Sequence, residues 1–257
     1  MVAGTSEICL ELKNVGARLG GRWVLRSVDL RLREREIVSV IGPNGAGKTT
    51  LFNIVGGQLP PSAGSVFFQG REITGWPPHL VCRAGIARTF QIARPFPRMT
   101  ALENVLMGVW FGKREGGKGR EEERRGEAFR LLRLVGMEDK AHRLARELTL
   151  SELRRLEVAR ALSTRPKLLL LDEMAAGLSP QAVQEALNLI LDLRERGLTL
   201  LIIDHFLNLT AQVSDRLLAL DQGEKIMEGP PRAVTQHPEV VSAYLGRRYR
   251  EDDEEAL

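Results

Sequence analysis

No part of this 257-residue chain is apolar for long enough to cross a bilayer. Its longest apolar runs, Leu168 to Leu171 and Leu198 to Ile203, stop far short of the roughly 20 residues that a membrane-spanning helix requires. No basic-then-apolar leader occupies Met1 to Leu10, so a soluble, cytoplasmic protein is expected. Cysteine is scarce: Cys9 and Cys82 lie far apart without metal-type spacing, and both are read as reduced and structural. The four histidines, His79, His142, His205 and His237, form no ligand cluster along the chain. Internal repeats and low-complexity blocks are also missing. A disulfide framework, a Cys/His metal module and a repeat architecture therefore find no support.

What is present is ordinary globular material, 43% hydrophobic and 27% charged, enough for one large domain or two intimate ones. The formal net charge is +4 and the isoelectric point about 9.3. That small excess suits a polyphosphate ligand or a position beside an anionic membrane face. It does not argue for DNA. Basic residues concentrate only in Lys113 to Arg125, where Glu115 and Glu121 to Glu123 are interleaved, the pattern of a solvated loop with charged flanks.

The informative stretch is Ile37 to Gly57. A short run rich in β-branched residues, Ile37 to Ile41, leads into a glycine-rich turn and then into apolar residues at helical spacing, Leu51, Ile54 and Val55. That order predicts strand, loop, helix. Gly42-Pro43-Asn44-Gly45-Ala46-Gly47-Lys48-Thr49 fills every fixed position of the phosphate-loop pattern G-x-x-x-x-G-K-S/T, with Thr50 directly after it. The glycines let the backbone turn tightly and aim amides inward, so that a nucleoside triphosphate is held by N–H donors and the positive end of the helix. Lys48 supplies a cation for the β and γ phosphates, and Thr49 a hydroxyl for Mg²⁺. The alternative is a glycine-rich turn that binds nothing. Placement at a strand-to-helix junction favours the nucleotide.

Around this centre, Ile8, Leu10 and Leu12 alternate with Cys9, Glu11 and Lys13 as in a half-buried strand, and Val24 to Leu32 and Ser65 to Gln69 suggest two more. Together they predict an antiparallel flank. Ile86 to Phe90 reads as a further strand, ending at Gln91. Thr100 to Val109 reads as a helix capped by Thr100 and Glu103; Glu127 to Val135 and Ala141 to Leu148 are also expected to be helical. Lys167 to Leu171 predicts a strand buried on both faces. Ser179 and Pro180 open a helix that Gly197 ends. Leu198 to Ile203 is another buried strand, a helix follows from Phe206, and two last strands flank Asp221-Gln222-Gly223. The expected organisation is a discontinuous core, 1–91 with 149–246, a helical subdomain at 92–148, and a disordered acidic tail at 247–257.

A second chemical station stands at the end of the leucine strand. Asp172 lies where a phosphate-loop enzyme wants a Mg²⁺ partner, and Glu173 where a carboxylate can orient or deprotonate the attacking water. An Asp-Glu pair that merely opens a turn is the alternative.

The order of these motifs resembles the ATPase subunit of an ABC transporter, over nearly the whole chain from Glu11 to about Gly246. The resemblance implies a RecA-like α/β fold with a mainly parallel core, an antiparallel β flank and a helical insertion. It implies that Gln91 touches Mg²⁺ and the lytic water, that His205 senses the γ-phosphate, and that Ala176 to Ser179 form a dimer-contact loop. Val81 to Gln91, Leu156 to Leu162, Ala175 to Pro180 and His237 to Gly246 are most similar to branched-chain amino acid importers; related importers of urea or short amides share much of this wording. The implied cofactors are ATP and Mg²⁺. The implied partners are a second ATPase subunit, identical or paralogous, and integral membrane permease subunits, with the chain peripheral at the cytoplasmic membrane face.

Three departures qualify the resemblance. Where the family has Leu-Ser-Gly-Gly-Gln, which clamps the other subunit's γ-phosphate, this chain has Leu148-Thr149-Leu150-Ser151-Glu152. Thr149 keeps the hydroxyl and the helix start survives, so Thr149 and Ser151 stay candidate nucleotide contacts, but Leu150 and Ser151 add side chains where close backbone approach is wanted, and Glu152 adds negative charge. Leu19 replaces the adenine-stacking aromatic, leaving Leu19 or Trp23 as an apolar wall. Asp204-His205-Phe206 keeps only the histidine of the expected triplet. A regulatory subunit that binds nucleotide and hydrolyses it poorly is the alternative function. A soluble cassette acting on nucleic acid is disfavoured, since a second cassette and long coiled coils are missing.

Overall fold

The computed structural model describes residues 7–90, 95–111, 121–204 and 207–244. In chain order the first elements are β1 (Ile8–Leu19), β2 (Arg22–Arg33), β3 (Ile37–Ile41), α1 (Lys48–Val55), β4 (Ala63–Phe68) and β5 (Arg71–Glu72). Then come α2 (Pro78–Ala84), β6 (Ile86–Arg88), α3 (Ala101–Phe111), α4 (Glu121–Leu134) and α5 (Leu150–Leu162). The chain continues with β7 (Leu168–Asp172), α6 (Pro180–Glu195), β8 (Thr199–Ile203), α7 (Leu207–Val213), β9 (Arg216–Asp221), β10 (Glu224–Gly229) and α8 (Pro231–Thr235). These fall into two compact units, one of Met1–Pro77 with Thr199–Leu257, the other Pro78–Leu198.

The first unit holds two layers of strands. β1 lies antiparallel between β2 and β4, and β5 pairs with β4, giving the expected antiparallel flank. β3 runs parallel to both β8 and β9, and β10 closes antiparallel on β9. Every residue of β3 and β8 is buried, as unbroken apolar runs demand in parallel strands. Asp215 fixes the start of β3: its carboxylate accepts from Ile37 N at 2.9 Å while its own amide donates to Ile37 O. Arg216 ties the same edge, donating to Glu36 at 2.6 Å and to Glu228 at 2.7 Å. Two Gln-Gly hairpin turns complete the unit. Gln69 and Gly70 (φ 48° and 74°) link β4 to β5, and Gln222 and Gly223 (φ 47° and 84°) link β9 to β10. Positive φ at both central residues is what the right-handed twist of the flanking strands requires.

The alternation expected at the start of β1 holds for Leu10 and Leu12 but not for Ile8, which is 41% exposed while Cys9 is fully buried. A register shift between Ile8 and Leu10 is the cause: one irregular pairing exchanges the faces of the preceding residues.

The second unit contains the parallel pair β6 and β7 and the helices α2 to α6. All residues of β7 are buried. The Thr100–Glu103 capping box forms as expected, Thr100 N donating to Glu103 at 2.7 Å and Glu103 N to Thr100 Oγ1 at 3.2 Å. Fully buried Asn104 fastens the chain just before α3. Its Oδ1 accepts from Phe96 N at 2.8 Å, and its Nδ2 donates to the oxygens of Phe96 and Thr100 at 3.1 and 2.9 Å. Ser179 caps α6 through Ala182 N, with Pro180 at its first turn.

One expected helix is absent. Ala141 to Leu148 does not continue helical; a single 3-10 turn, Ala145–Glu147, occupies part of it. Its backbone groups are spent elsewhere: Arg143 O and Ala141 O accept from Ala101 N and Leu102 N, while Ala145 N and Arg146 N donate to Met99 O and Pro97 O. An α-helix would need those same groups for its own ladder. Other boundaries moved modestly. α4 begins six residues before the expected Glu127, and the strand beginning at Ile86 ends at Arg88 rather than Phe90.

Candidate nucleotide-binding site

The phosphate loop follows β3 directly. Gly42 (φ 149°) and Gly47 (φ 103°) take conformations that side chains resist, and both are closely hemmed in. A Cβ on Gly42 would collide with the backbone oxygen of Leu220, and one on Gly47 would stand 2.9 Å from Val24 O. Gly47 is also the N-cap of α1 and, having no side chain, makes no capping hydrogen bond. That is the arrangement an anion requires.

Lys48 is 7% exposed, and its Nζ donates to Gly42 O at 2.7 Å and Pro43 O at 2.9 Å. The ammonium thus lies across the loop. Asn44, Gly45 and Thr49 face solvent, whereas Pro43, Ala46 and Thr50 are buried and shape the loop from behind. Two further groups brace it from outside: Gly223 N donates to Ala46 O at 3.1 Å, and Gly42 N donates to the Tyr244 hydroxyl at 2.7 Å. Neither brace was anticipated. In both, the partner outside the loop, Gly223 or Tyr244, is distant in the chain and carries no phosphate-binding signal of its own.

Leu19 and Trp23, the suggested apolar wall, are both partly exposed near the β1–β2 turn, and the Arg18 guanidinium lies 4.3 Å over the Trp23 ring.

In the second unit, Asp172 ends β7 and accepts from Arg88 Nη2 at 2.8 Å, with side chains only 5% and 8% exposed. Thr89 N donates to Leu170 O at 2.9 Å and Thr89 Oγ1 accepts from Asp172 N at 3.1 Å, which locks the exits of β6 and β7 together. Arg88 is a neighbour of Asp172 that the spacing of the chain did not reveal. Glu173 follows with φ 48°, a left-handed conformation that costs a non-glycine residue about 1–3 kcal/mol. Such cost persists where the surroundings dictate it, commonly at reacting sites. The Thr49 hydroxyl in the first unit and the Asp172 carboxylate in the second are each hard oxygen donors of the chemical kind that Mg²⁺ takes.

Thr149 is the N-cap of α5. Its hydroxyl accepts from Glu152 N at 3.3 Å, and the Glu152 carboxylate takes the Thr149 amide at 2.8 Å and hydroxyl at 3.0 Å, a complete capping box. Burial alone would raise the Glu152 pKa; the two Thr149 hydrogen bonds, together with the Lys140 and Arg143 charges, outweigh it and hold the carboxyl below its usual value. Leu150 and Ser151 stand at the helix start, Leu150 well exposed. Gln91 and His205 lie outside the described residues. Asp204, which precedes His205, is buried at the end of β8.

The chain matches the ABC transporter family over residues 25–176 and the branched-chain amino acid ATP-binding cassette transporter family over residues 224–250. It is 38% identical to the high-affinity branched-chain amino acid transport ATP-binding protein BraF of Pseudomonas aeruginosa, over 92% of this chain and 97% of that protein. It is 37% identical to the corresponding LivG protein of Escherichia coli, over 94% and 99%. Among solved structures it resembles the ADP conformation of MJ1267, an ATP-binding cassette of an ABC transporter, with TM-score 0.86, 32% identity and coverage of 94% and 100%. It also resembles the dimeric post-hydrolysis state of the cassette MJ0796 bound to ADP and Pi, with TM-score 0.78, 29% identity and coverage of 87% and 99%. A phosphate loop of this geometry on this fold, with relatives of this kind along more than nine-tenths of its length, places the chain among the ATP-binding subunits of ABC transporters, in the branched-chain amino acid group.

Proposed function

We propose that the chain hydrolyses ATP to drive uptake of a small solute through membrane permease subunits, the solute being a branched-chain or related amino acid. The observation that carries this reading is the phosphate loop, an uncapped helix start beside a lysine already stationed at the loop. Gly42 to Thr50 would hold the triphosphate, with Thr49, Asp172 and Gln91 as the Mg²⁺ ligands. An ion held there would supply positive charge against the phosphates. Glu173 orients the attacking water and takes its proton. His205 senses the γ-phosphate, and the Thr149 to Glu152 segment of one subunit closes on the nucleotide held by another, identical or paralogous. Residues 92–148 serve as the helical subdomain. No described helix is long and apolar enough to span a membrane, which fits a peripheral subunit docked on integral partners.

The test is Mg-ATP titration calorimetry. Lys48→Ala should abolish tight binding, and an unchanged affinity contradicts the reading. The capping box favours a second reading, because it fixes an ionised carboxylate at the helix start meant to meet a phosphate. Under that reading the chain binds nucleotide and regulates, with weak hydrolysis. ATPase assays on the chain alone and with its membrane partners separate the two: absence of turnover in both supports the regulatory role.

A further inference from the structure

The C-terminal stretch beginning at His237 has no task in the function above. Residues 238–244 are helical, and Tyr244 packs against the buried cluster formed by Ile41, Leu217, Ala219, Val234 and Val240. Ile41 is the last residue of β3, and the next residue is Gly42, whose amide donates to the Tyr244 hydroxyl at 2.7 Å. Gly42 is also hemmed in by the backbone of Leu220, which leaves no room for a Cβ. Burial pushes the Tyr244 phenol up to about 12; the Gly42 amide works against that shift and the Asp204 charge adds to it, so the group stays neutral at physiological pH.

A loop that cradles phosphates turns most of its amides inward. The Gly42 amide is committed elsewhere, and a buried N–H without an acceptor would cost as much as a lost hydrogen bond. We propose that the Tyr244 hydroxyl is a positioning group for the phosphate loop, so that the C-terminal helix and the bound nucleotide stabilise one another. The inference rests on the nucleotide reading of that loop. Tyr244 touches no phosphate; it acts through Gly42, which fixes where the turn after β3 begins. Coupling of this kind is reciprocal: whatever the helix adds to ATP affinity, ATP adds to the order of the helix.

Tyr244→Phe keeps the packed ring and removes only the acceptor. In the full chain this variant should raise the Mg-ATP dissociation constant about 3- to 10-fold, the effect of one net hydrogen bond. Hydrogen exchange supplies a readout that simple packing would not move: Mg-ATP should slow exchange of the 238–244 amides in the parent chain, and that slowing should vanish in Tyr244→Phe. Parent-like affinity together with parent-like ATP-dependent protection overturns the inference while leaving the phosphate loop intact. A parent chain that binds no Mg-ATP overturns both.

Discussion

Glu152 serves the fold at a position where the proposed function would bring a phosphate. In the third position of α5 it completes a capping box and places negative charge at a helix N-terminus, an arrangement that stabilises by about 0.3–1 kcal/mol. A γ-phosphate approaching the same helix start would meet that charge. Replacing Glu152 by Gln keeps an acceptor for the Thr149 amide and removes the repulsion. The expected outcome is a small loss of thermal stability and a lower ATP concentration for nucleotide-driven pairing, read by melting and by light scattering. The pH dependence follows from the lowered pKa of Glu152. Its stabilising contribution is complete above the unfolded carboxyl pKa of 4.5 and fades as pH falls through the lower folded value. Acid unfolding of the Glu152→Gln chain should lack that component.

At the scale of elements, β7 concentrates the demands of the second unit in five residues. Its leucines are fully buried and its end presents Asp172. Leu170→Ala should cost about 2–5 kcal/mol, measured by denaturant unfolding, because the strand cannot collapse around the missing atoms. Such a strand is legible in sequence, since four leucines before two acids leave few other readings. The strand–loop–helix of Ile37 to Val55 and the Ser179-Pro180 helix start were legible for similar local reasons. Ala141 to Leu148 was not, because its backbone partners lie about 40 residues upstream and leave no periodic trace. The capping box of α5 was written in the chain as Thr149-x-x-Glu152, the same signal that marks Thr100 and Glu103. It was hidden by comparison with a signature in which those positions are read for phosphate instead. Arg88 and Tyr244 gave no local sign, since each acquires its role only when distant segments meet.

For the molecule as a whole, the proposed motor requires that ATP bring two cassettes together. Glu173→Gln should bind Mg-ATP, fail to hydrolyse it and accumulate as a closed dimer, visible by size-exclusion chromatography with scattering detection. Full turnover in that variant would remove Glu173 from its assigned place. The pair of Gln-Gly turns has a practical consequence for anyone wishing to label the protein. Gly70 has open space around it, whereas Gly223 abuts Val24 and donates to the phosphate loop through Ala46. A peptide tag spliced in between Gln69 and Gly70 should leave ATP affinity untouched. The same tag between Gln222 and Gly223, in a hairpin of matching shape, should cripple it, for there the tip of the hairpin is a wedge against the phosphate loop rather than a free end.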